Sequence, residues 1–318
     1  MKLLFADKFP PAHIEVLRAV GHDCELRPDL GSDELIDALD GVEGLIVRST
    51  RVSAPTLQGA DALRLVIRAG SGTNTIALDA AEERGIQVSN VPGRNAIAVA
   101  ELVMGLIIAI DRNIPDNVAE SRAGRWDKAR FSAAKGIWGR RLGILGLGNV
   151  GIAVATRARA FGMAPHGLEK QREPKAEAKI IAAGIELVPD LESMLAGCDV
   201  ISVHAPYTGE ALVDAAFLDR MQPGSILINT SRGELVDEPA LIAAMDAKGI
   251  RAGLDVFRDE PGHAFGPFHS ELASHRNVYA THHIGASTAQ AQTAVADEVV
   301  AIIEAFGRGE PRNAVGVG

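Results

Sequence analysis

The sequence predicts an α/β protein built from parallel sheets with helices on both faces. Short aliphatic runs typical of buried strands alternate with amphipathic stretches typical of helices along the whole chain. Many of the helical stretches end in a glycine just before the next strand, a common way to end a helix; these glycines are Gly21, Gly41, Gly85, Gly162, Gly184 and Gly249. A chain of 318 residues has room for two such domains.

The predicted elements follow one another in regular order. The clearest strands are predicted at residues 44–47, 65–67, 142–145, 200–203, 225–228 and 253–256. The clearest helices are predicted at residues 12–20, 32–39 and 240–247. The longest apolar stretch, residues 96–110, contains Glu101 and is shorter than the ~20 residues that a membrane span needs. We interpret it as a long buried helix.

The composition argues against several classes of partner. The 41 acidic and 32 basic residues give a net charge of -9, whereas nucleic acids and anionic membranes require a basic surface. The cysteines, Cys24 and Cys198, form neither a disulfide framework nor a zinc motif, which is typical of a reducing compartment. The first apolar run is too short for a signal peptide. We therefore expect a cytoplasmic protein that has no metal site and binds neither nucleic acid nor a membrane.

A glycine-rich loop follows the strand predicted at residues 142–145. It reads G-x-G-x-x-G, with Gly146, Gly148 and Gly151, and leads into a helical stretch at residues 152–161. The first glycine permits a tight turn, the second lets a pyrophosphate approach the backbone, and the third lets helix and strand pack closely. In a chain with 33 glycines the pattern alone is weak, but the preceding strand and following helix indicate a dinucleotide site.

An acid about 20 residues beyond this loop bears on the choice of dinucleotide. Glu169 is placed to bind the ribose hydroxyls, and its charge would repel the additional phosphate of NADP, which favours NAD. Pro165 fits this placement badly, because proline cannot donate to the ladder of a central strand. We therefore expect the strand to begin after Pro165. The alternative interpretation of Glu169 is an exposed acidic residue in a loop with no role in binding.

Three polar segments each follow a predicted strand, at residues 229–237, 254–261 and 281–288. Open α/β sheets bind ligands at this carboxyl edge. There, an arginine can grip a carboxylate, a histidine can move a hydroxyl proton, and a carboxylate can stabilise the imidazolium, which suits the reduction of a 2-keto acid. The residues alone leave open whether His282 or His283 acts, and whether Arg232 and Glu260 are only structural.

Four motifs in this order resemble those of the D-2-hydroxyacid dehydrogenases. They are the glycine loop, S-R-G-x-x-V-D from Ser231, L-D-V-F-x-x-E-P from Leu254 and H-x-G-A-S-T from His283. The similarity extends to residues 45–50, 68–74, 100–102 and 312–315, and within the family the chain most resembles the D-3-phosphoglycerate dehydrogenases. The resemblance implies an oxidoreductase that transfers a hydride between NAD(H) and a D-2-hydroxy acid or 2-keto acid.

The resemblance assigns roles to individual residues. Arg232 would hold the substrate carboxylate, Glu260 would be the partner acid and His283 would be the proton donor. His283 carries the match, and His282 replaces the proline usual in the family. Asp255 would contact the nicotinamide carboxamide. The other residues expected to line the cofactor are Ser71, Gly146, Gly148, Asn149, Val150, Gly151, Glu169, Ala205, Thr230, Ser231 and Gly285.

The resemblance also implies a discontinuous arrangement of two doubly wound, Rossmann- or flavodoxin-like domains. Residues 1–94 and 286–318 would form the substrate domain, and residues 95–285 the NAD-binding domain. The helix that contains Glu101 would begin at the junction and contribute to a homodimer interface. Some relatives carry a regulatory domain, and this chain resembles the short form without one.

The expected substrate pair is 3-phosphoglycerate and 3-phosphohydroxypyruvate, which belongs to serine biosynthesis. Arg48 and Arg68 end two strands of the substrate domain, and matching arginines in the phosphoglycerate dehydrogenases lie near the phosphate. Ser71 and Gly72 would bind the carboxylate together with Arg232. The alternative for Arg48 and Arg68 is structural ion pairing.

Two irregular stretches of the chain are also expected to lie at the site. A basic residue within residues 125–130 would add a phosphate contact, and the irregular stretch at residues 261–270 would border the site. A hydroxypyruvate or glyoxylate reductase with the same chemistry is the alternative enzyme. An NAD-sensing corepressor, which is not an enzyme, is the alternative from a different class. Turnover by the purified protein with NAD would distinguish an enzyme from such a corepressor.

Overall fold

The computed structural model of the protein describes residues 1–261 and 266–316. Its internal contacts divide the chain into two compact units, which we call unit 1 (Met1–Asn95 with Ser287–Gly318) and unit 2 (Ala96–Ala286). These boundaries differ by one residue from the predicted domain boundaries. The stretch at residues 261–270 includes residues 262–265, which lie outside the described residues, so its place beside a site stays a prediction.

Unit 1 opens with alternating strands and helices. The strands are β1 (Lys2–Phe5), β2 (Asp23–Leu26), β3 (Gly44–Val47), β4 (Leu65–Arg68) and β5 (Gln87–Asn90). The helices are α1 (Pro11–Ala19), α2 (Leu35–Ala38), α3 (Ala54–Gln58) and α4 (Leu78–Glu83).

Unit 2 follows with two consecutive helices and then a second alternating series. The helices are α5 (Ala96–Arg112), α6 (Ile114–Arg122), α7 (Asn149–Ala160), α8 (Pro174–Ala182), α9 (Leu191–Gly197), α10 (Ala215–Arg220) and α11 (Glu238–Lys248). The strands are β6 (Arg141–Leu145), β7 (Ala164–Leu168), β8 (Glu186–Val188), β9 (Val200–Val203), β10 (Ile226–Asn229), β11 (Arg251–Leu254) and β12 (Val278–Ala280). The chain then returns to unit 1 with α12 (Ala289–Gly307) and β13 (Ala314–Val315).

Both sheets have the strand order of a doubly wound fold. In unit 1 the order is β13-β5-β4-β3-β1-β2, and all neighbours are parallel except β13, which runs antiparallel to β5. In unit 2 the order is β12-β11-β10-β9-β6-β7-β8, wholly parallel. Unit 1 follows the flavodoxin-like order and unit 2 the Rossmann order. The predicted fold class is confirmed.

Successive residues of the unit 1 strands point to two different buried faces. Leu4 and Leu45 pack with residues of α2, α3 and α4 on one face. Phe5 and Ile46 pack with residues of α1 and α12 on the other. Because both faces are covered, these strands are continuous apolar runs rather than alternating ones, as parallel sheets generally are.

The long apolar stretch forms a buried helix, as predicted. In α5, Leu106, Ile107 and Ile110 pack against Ile144 and Ile226 on one face of the unit 2 sheet. No helix among the described residues is both long and apolar enough to span a membrane. The six glycines predicted to end helices all have positive φ.

Pro165 lies inside β7, so the expectation that this strand begins after Pro165 is wrong. Ala164 donates its N–H to Arg140 on the β6 side, so the next residue along β7 faces β8. β8 begins only at Glu186, opposite His166. The N–H that proline lacks would therefore point to a part of the sheet where no ladder has yet formed.

A buried carboxylate ties the returning segment to the rest of unit 1. Glu298 on α12 is 5% exposed and accepts hydrogen bonds from Arg94 Nη2 (2.5 Å), Arg312 Nε (2.7 Å) and Asn313 Nδ2 (2.9 Å). The hydrogen bond from Arg312, together with that from Arg94, outweighs the cost of burial and lowers the pKa of Glu298 to about 2. The ionised carboxylate therefore stabilises the folded state.

We predict that Glu298→Gln destabilises the protein by about 1–3 kcal/mol at neutral pH, because charged hydrogen bonds become neutral ones. The folded pKa of Glu298 is depressed, so its contribution is present above the unfolded pKa of about 4.5 and is lost as the pH falls toward about 2. Urea denaturation over this acidic range should show the two proteins converging. Exposed Glu304 on the same helix is the control, and Glu304→Gln should change stability by less than about 0.5 kcal/mol. Equal losses for the two variants would contradict the assignment.

Candidate active site

The glycine loop lies where the strand order of unit 2 reverses, between β6 and β9. Gly146 has φ 105°, and a Cβ there would overlap the carbonyl oxygen of His204 and lie 2.9 Å from the Ala205 nitrogen. Only glycine allows the two strand ends to approach this closely. Open α/β sheets bind their ligands at such a reversal point.

The N-terminus of α7 is open. Gly148 is its N-cap residue, and among the described residues no side chain caps this end. A Cβ added to Gly148 would meet nothing within 4 Å, whereas one on Gly151 would overlap the Gly146 backbone. The helix therefore begins with uncovered backbone N–H groups at Asn149 and Val150, and its positive end favours an anion.

Residues at the neighbouring strand end also fit a bound nucleotide. The hydroxyl of Thr230 is buried and has no hydrogen-bond partner among the described residues. Buried polar groups are normally satisfied, so an unpaired hydroxyl indicates a missing ligand or water. The unpaired Thr230 hydroxyl and the uncapped N-terminus of α7 are the two structural observations that fit the expected cofactor.

Glu169 lies one residue beyond β7 and is exposed. Its backbone N–H donates to Val188 on β8, which fixes its place at the strand end. Arg172, which sequence reasoning missed, donates to the carbonyl oxygens of Leu168 (2.6 Å) and Lys170 (3.0 Å). This basic residue closes the loop around Glu169 and binds backbone oxygens.

Asn229, the first residue of the polar segment predicted at residues 229–237, shapes the loop that carries Arg232. Its amide donates to the Arg232 carbonyl oxygen (2.8 Å) and accepts from the Ser231 N–H (3.0 Å). The Ser231 hydroxyl donates to the carbonyl oxygen of Val203 at the end of β9 (2.8 Å). Asn229 is fully buried at the end of β10, and the polar residue ending an apolar strand was the available signal.

Gly233, in the S-R-G-x-x-V-D motif, lies where two loops meet. A Cβ on Gly233 would overlap the backbone of Phe257 and Arg258. The Arg232 loop and the loop after β11 therefore touch backbone to backbone. Any side chain at this position would push the two loops apart.

The loops after β11 and β12 bring Glu260 and His283 together. His283 Nδ1 lies 2.6 Å from Glu260 Oε2, and the other carboxylate oxygen of Glu260 accepts from the Phe257 N–H (2.8 Å). The His283 side chain is 55% exposed, so its far nitrogen remains accessible. This is the arrangement of a histidine oriented by a carboxylate.

Glu260 is held in its ionised form. Partial burial by itself raises the pKa of Glu260, but the hydrogen bond and charge of His283, the Phe257 N–H and the charge of Arg232 together lower it below the ordinary value. An ionised carboxylate only accepts hydrogen bonds, so His283 carries its proton on Nδ1 when neutral. Nε2 is then the ring nitrogen that Glu260 leaves available for a proton exchange.

Asp255 holds the segment that carries His283. Its carboxylate accepts from the Thr281 hydroxyl (2.5 Å) and from the N–H groups of Ile284 (2.8 Å) and Gly285 (2.8 Å). His283 has φ 51°, a left-handed conformation that non-glycine residues rarely adopt. The resemblance assigns Asp255 to the cofactor, and the polar segment predicted at residues 281–288 includes Thr281 without assigning it a role.

The other histidines near these strand ends differ from His283. His282 is exposed and has no hydrogen-bond partner among the described residues. Burial lowers the pKa of His204 to about 4, so His204 is neutral at physiological pH, and it lies 2.8 Å from the Ser202 hydroxyl. Across residues 1–261 and 266–316, no group of three or more His, Cys, Asp or Glu side chains is arranged to hold a metal ion.

Arg48 lies at the carboxyl edge of the unit 1 sheet. Asp7, which sequence reasoning missed, accepts from the backbone N–H groups of Arg48 (2.6 Å), Ser49 (3.1 Å) and Thr50 (3.1 Å). The Arg48 guanidinium lies 3.4 Å from the Ser287 hydroxyl and forms no ion pair within the described part of the chain. Its backbone is fixed while its charge is not neutralised by an acid.

Arg68 and Ser71 lie at the same edge, after β4. The Arg68 guanidinium folds back across Gly70. The Ser71 hydroxyl donates to the Val91 carbonyl oxygen (3.4 Å), and the Asn90 amide donates to the Ser71 carbonyl oxygen (2.7 Å). Unit 1 thus gathers Arg48, Arg68 and Ser71 at one edge, while unit 2 gathers Arg232, Glu260 and His283 at another.

The sequence of residues 104–285 matches the family described as D-isomer specific 2-hydroxyacid dehydrogenase, NAD binding domain. The chain belongs to this family. Its 104–285 segment is the NAD-binding domain, which confirms the family and the cofactor predicted from the motifs.

Relatives and solved structures extend the similarity over nearly the whole chain. The D-3-phosphoglycerate dehydrogenase of Methanocaldococcus jannaschii is 37% identical over 98% of this chain, which spans only 58% of that relative. The crystal structure of the TT0316 protein from Thermus thermophilus superposes with a TM-score of 0.87 and 32% identity, covering 99% of this chain and 100% of that one. A glyoxylate reductase from Paecilomyes thermophila has a TM-score of 0.84 and 25% identity over 99% and 98% of the two chains.

We predict that His283→Ala lowers kcat about 10²–10⁴-fold, the usual contribution of a positioned proton donor. NADH affinity, measured by fluorescence titration, should change little. His282→Ala is the matched control, because His282 is adjacent and has no partner among the described residues, and it should remain within a few-fold of wild type. A large loss for His282→Ala with a small loss for His283→Ala would reverse the assignment.

We predict a preference for NADH over NADPH that depends on Glu169. Glu169→Ala should narrow the ratio of kcat/KM for the two cofactors, because it removes the charge that repels the additional phosphate. Glu177→Ala, which removes another exposed acid from the neighbouring helix α8, should leave the ratio unchanged. Wild-type protein that used NADPH as well as NADH would contradict this role.

Proposed function

We propose that the protein is an NAD(H)-dependent D-2-hydroxyacid dehydrogenase acting on 3-phosphoglycerate and 3-phosphohydroxypyruvate. The observation that carries the proposal is the hydrogen bond between His283 and an ionised Glu260, in a loop cluster that also holds Arg232. A carboxylate, a histidine and an arginine supply the three groups that reduction of a 2-keto acid requires from the protein.

The residues act in the following way in the direction of reduction. Arg232 binds the substrate carboxylate and polarises the neighbouring carbonyl oxygen. His283 gives the proton on Nε2 to that oxygen, and Glu260 stabilises the imidazolium before the transfer. The bound nicotinamide supplies the hydride. Asp255, through its bonds to the backbone around His283, keeps Nε2 in position.

The phosphate of the substrate is assigned to the arginines of unit 1. Ser71 and Gly72 supply backbone N–H groups for the carboxylate, and Arg48 and Arg68 supply positive charge at the same sheet edge. The absence of an ion pair at Arg48 within the described residues favours a ligand role over structural pairing. Relatives named D-3-phosphoglycerate dehydrogenase support the phosphorylated substrate. A role for the basic residues within 125–130 stays a prediction.

A hydroxypyruvate or glyoxylate reductase is the second candidate function. The superposition on a glyoxylate reductase favours it, because reduction of an unphosphorylated keto acid needs the same acid–base pair. The place in serine biosynthesis and the cytoplasmic location stay predictions. The expected homodimer is supported by exposed aromatic side chains in unit 2, Trp126 (87%) and Trp138 (85%).

A substrate panel at saturating NADH tests the proposal. We predict the highest kcat/KM for phosphohydroxypyruvate, compared with hydroxypyruvate and glyoxylate. Arg48→Ala and Arg68→Ala should each raise the KM for phosphohydroxypyruvate about tenfold or more, because a charge-assisted phosphate contact is lost. The KM for hydroxypyruvate, which has no phosphate, should hardly change.

Arg64→Ala is the matched control for this panel. Arg64 precedes β4 at the opposite end from Arg68 and pairs with Glu43, so its loss should affect neither substrate selectively. Equal losses on both substrates for Arg48→Ala and Arg68→Ala would assign those arginines a structural role and favour the reductase. NADH binding without turnover of any keto acid would favour the corepressor.

A further inference from the structure

Gly70 has an unusual neighbour. A Cβ built on Gly70 would overlap Nη1 of Arg68 and lie 2.7 Å from its Cζ. The guanidinium of Arg68 therefore occupies the space that a side chain at position 70 would need. Gly70 does not have a left-handed φ, so its backbone conformation would accept other residues. What requires glycine here is the arginine.

The backbone of this loop cannot shift to make room. The Gly70 N–H donates to the Arg68 carbonyl oxygen (2.7 Å), and the Gly70 carbonyl oxygen accepts from the Val91 N–H (2.9 Å). Ala69, the preceding residue, donates to Val47 on β3 (2.7 Å). The next residue, Ser71, is held through its carbonyl oxygen by the Asn90 amide. A methyl group at position 70 would move the arginine rather than the chain.

We propose that Gly70 is a specificity-determining residue that places the Arg68 guanidinium for the substrate phosphate. The proposal rests on the proposed function, in which Arg68 binds that phosphate. Because position 70 has no side chain, the guanidinium occupies the space beside the Gly70 backbone, which precedes Ser71 and Gly72, the groups assigned to the substrate carboxylate. A substrate with two anionic ends on a three-carbon skeleton requires two such groups at a short fixed separation.

The charge of Arg68 and its placement are separate properties. Gly70→Ala keeps the charge but displaces the guanidinium, because the added Cβ would overlap Nη1 of Arg68. Charge-assisted hydrogen bonds depend on geometry, so the contact with the phosphate would be lost even though the arginine is present. The KM for substrates that lack a phosphate would not change.

A double-mutant cycle tests the proposal. Gly70→Ala, Arg68→Ala and the double variant are compared on phosphohydroxypyruvate and hydroxypyruvate with NADH. Gly70→Ala should raise the KM for phosphohydroxypyruvate about tenfold or more, equivalent to about 1.4 kcal/mol, and hardly change that for hydroxypyruvate. In the Arg68→Ala background, Gly70→Ala should have no further effect.

Gly307→Ala is the matched control. Gly307 lies at the end of α12 in the same unit, has no positive φ, and its added Cβ would meet nothing within 4 Å. This variant should match wild type on both substrates. Thermal unfolding should show that Gly70→Ala remains folded, since the arginine side chain moves and the backbone hydrogen bonds of Ala69 and Gly70 are kept.

The outcomes separate this proposal from the proposed function. If Arg68→Ala selectively impairs phosphohydroxypyruvate but Gly70→Ala does not, or if the two effects add, the role of Gly70 is wrong and the arginine site stands. If Arg68→Ala impairs both substrates equally, the phosphate assignment is wrong and the role of Gly70 falls with it. Equal losses on both substrates for Gly70→Ala, or a similar loss for Gly307→Ala, would also overturn the role of Gly70.

Discussion

The carboxylate of Asp255 determines how the candidate site is built. It is 2% exposed, and its oxygens accept from the Thr281 hydroxyl and from the backbone at Ile284 and Gly285. These bonds hold His283 in a left-handed conformation, which costs about 1–3 kcal/mol and persists only where the surroundings enforce it. With its backbone fixed, His283 can lie 2.6 Å from Glu260. The geometry of the His283–Glu260 pair therefore depends on the buried Asp255 side chain behind it.

Glycines also determine the local geometry at other positions within each of the two units. Gly146 lets the ends of β6 and β9 meet, and Gly233 lets the Arg232 loop touch the backbone of Phe257. Gly70 makes room for a guanidinium instead of a backbone. In each case an atom of another residue occupies the space that a Cβ would need. At Gly146 and Gly233 the absent side chain lets loops from separate strand ends approach each other closely.

The sequence predicted the fold class and most of the strands, because parallel strands buried on both faces are strongly apolar. It was less accurate at strand ends. The strand predicted at residues 253–256 spans Arg251–Leu254, so Asp255 lies just beyond it and is free to turn toward Thr281. Pro165 was misjudged because its effect depends on where the neighbouring strand begins. Asp7 and Arg172 were missed because their partners are backbone groups, which leave no pattern in the sequence.

The two units present anion-binding groups of different kinds. In unit 2, the N-terminus of α7 offers backbone N–H groups that no side chain of the described residues covers. In unit 1, the comparable N–H groups of Arg48, Ser49 and Thr50 are already occupied by the Asp7 carboxylate. The groups that we propose for anion binding at that edge are therefore the side chains of Arg48 and Arg68 and the backbone N–H groups of Ser71 and Gly72. A backbone N–H group is kept in most substitutions, whereas a single substitution removes an arginine side chain. The dinucleotide site can therefore be retained while the arginines that we propose for the substrate phosphate change.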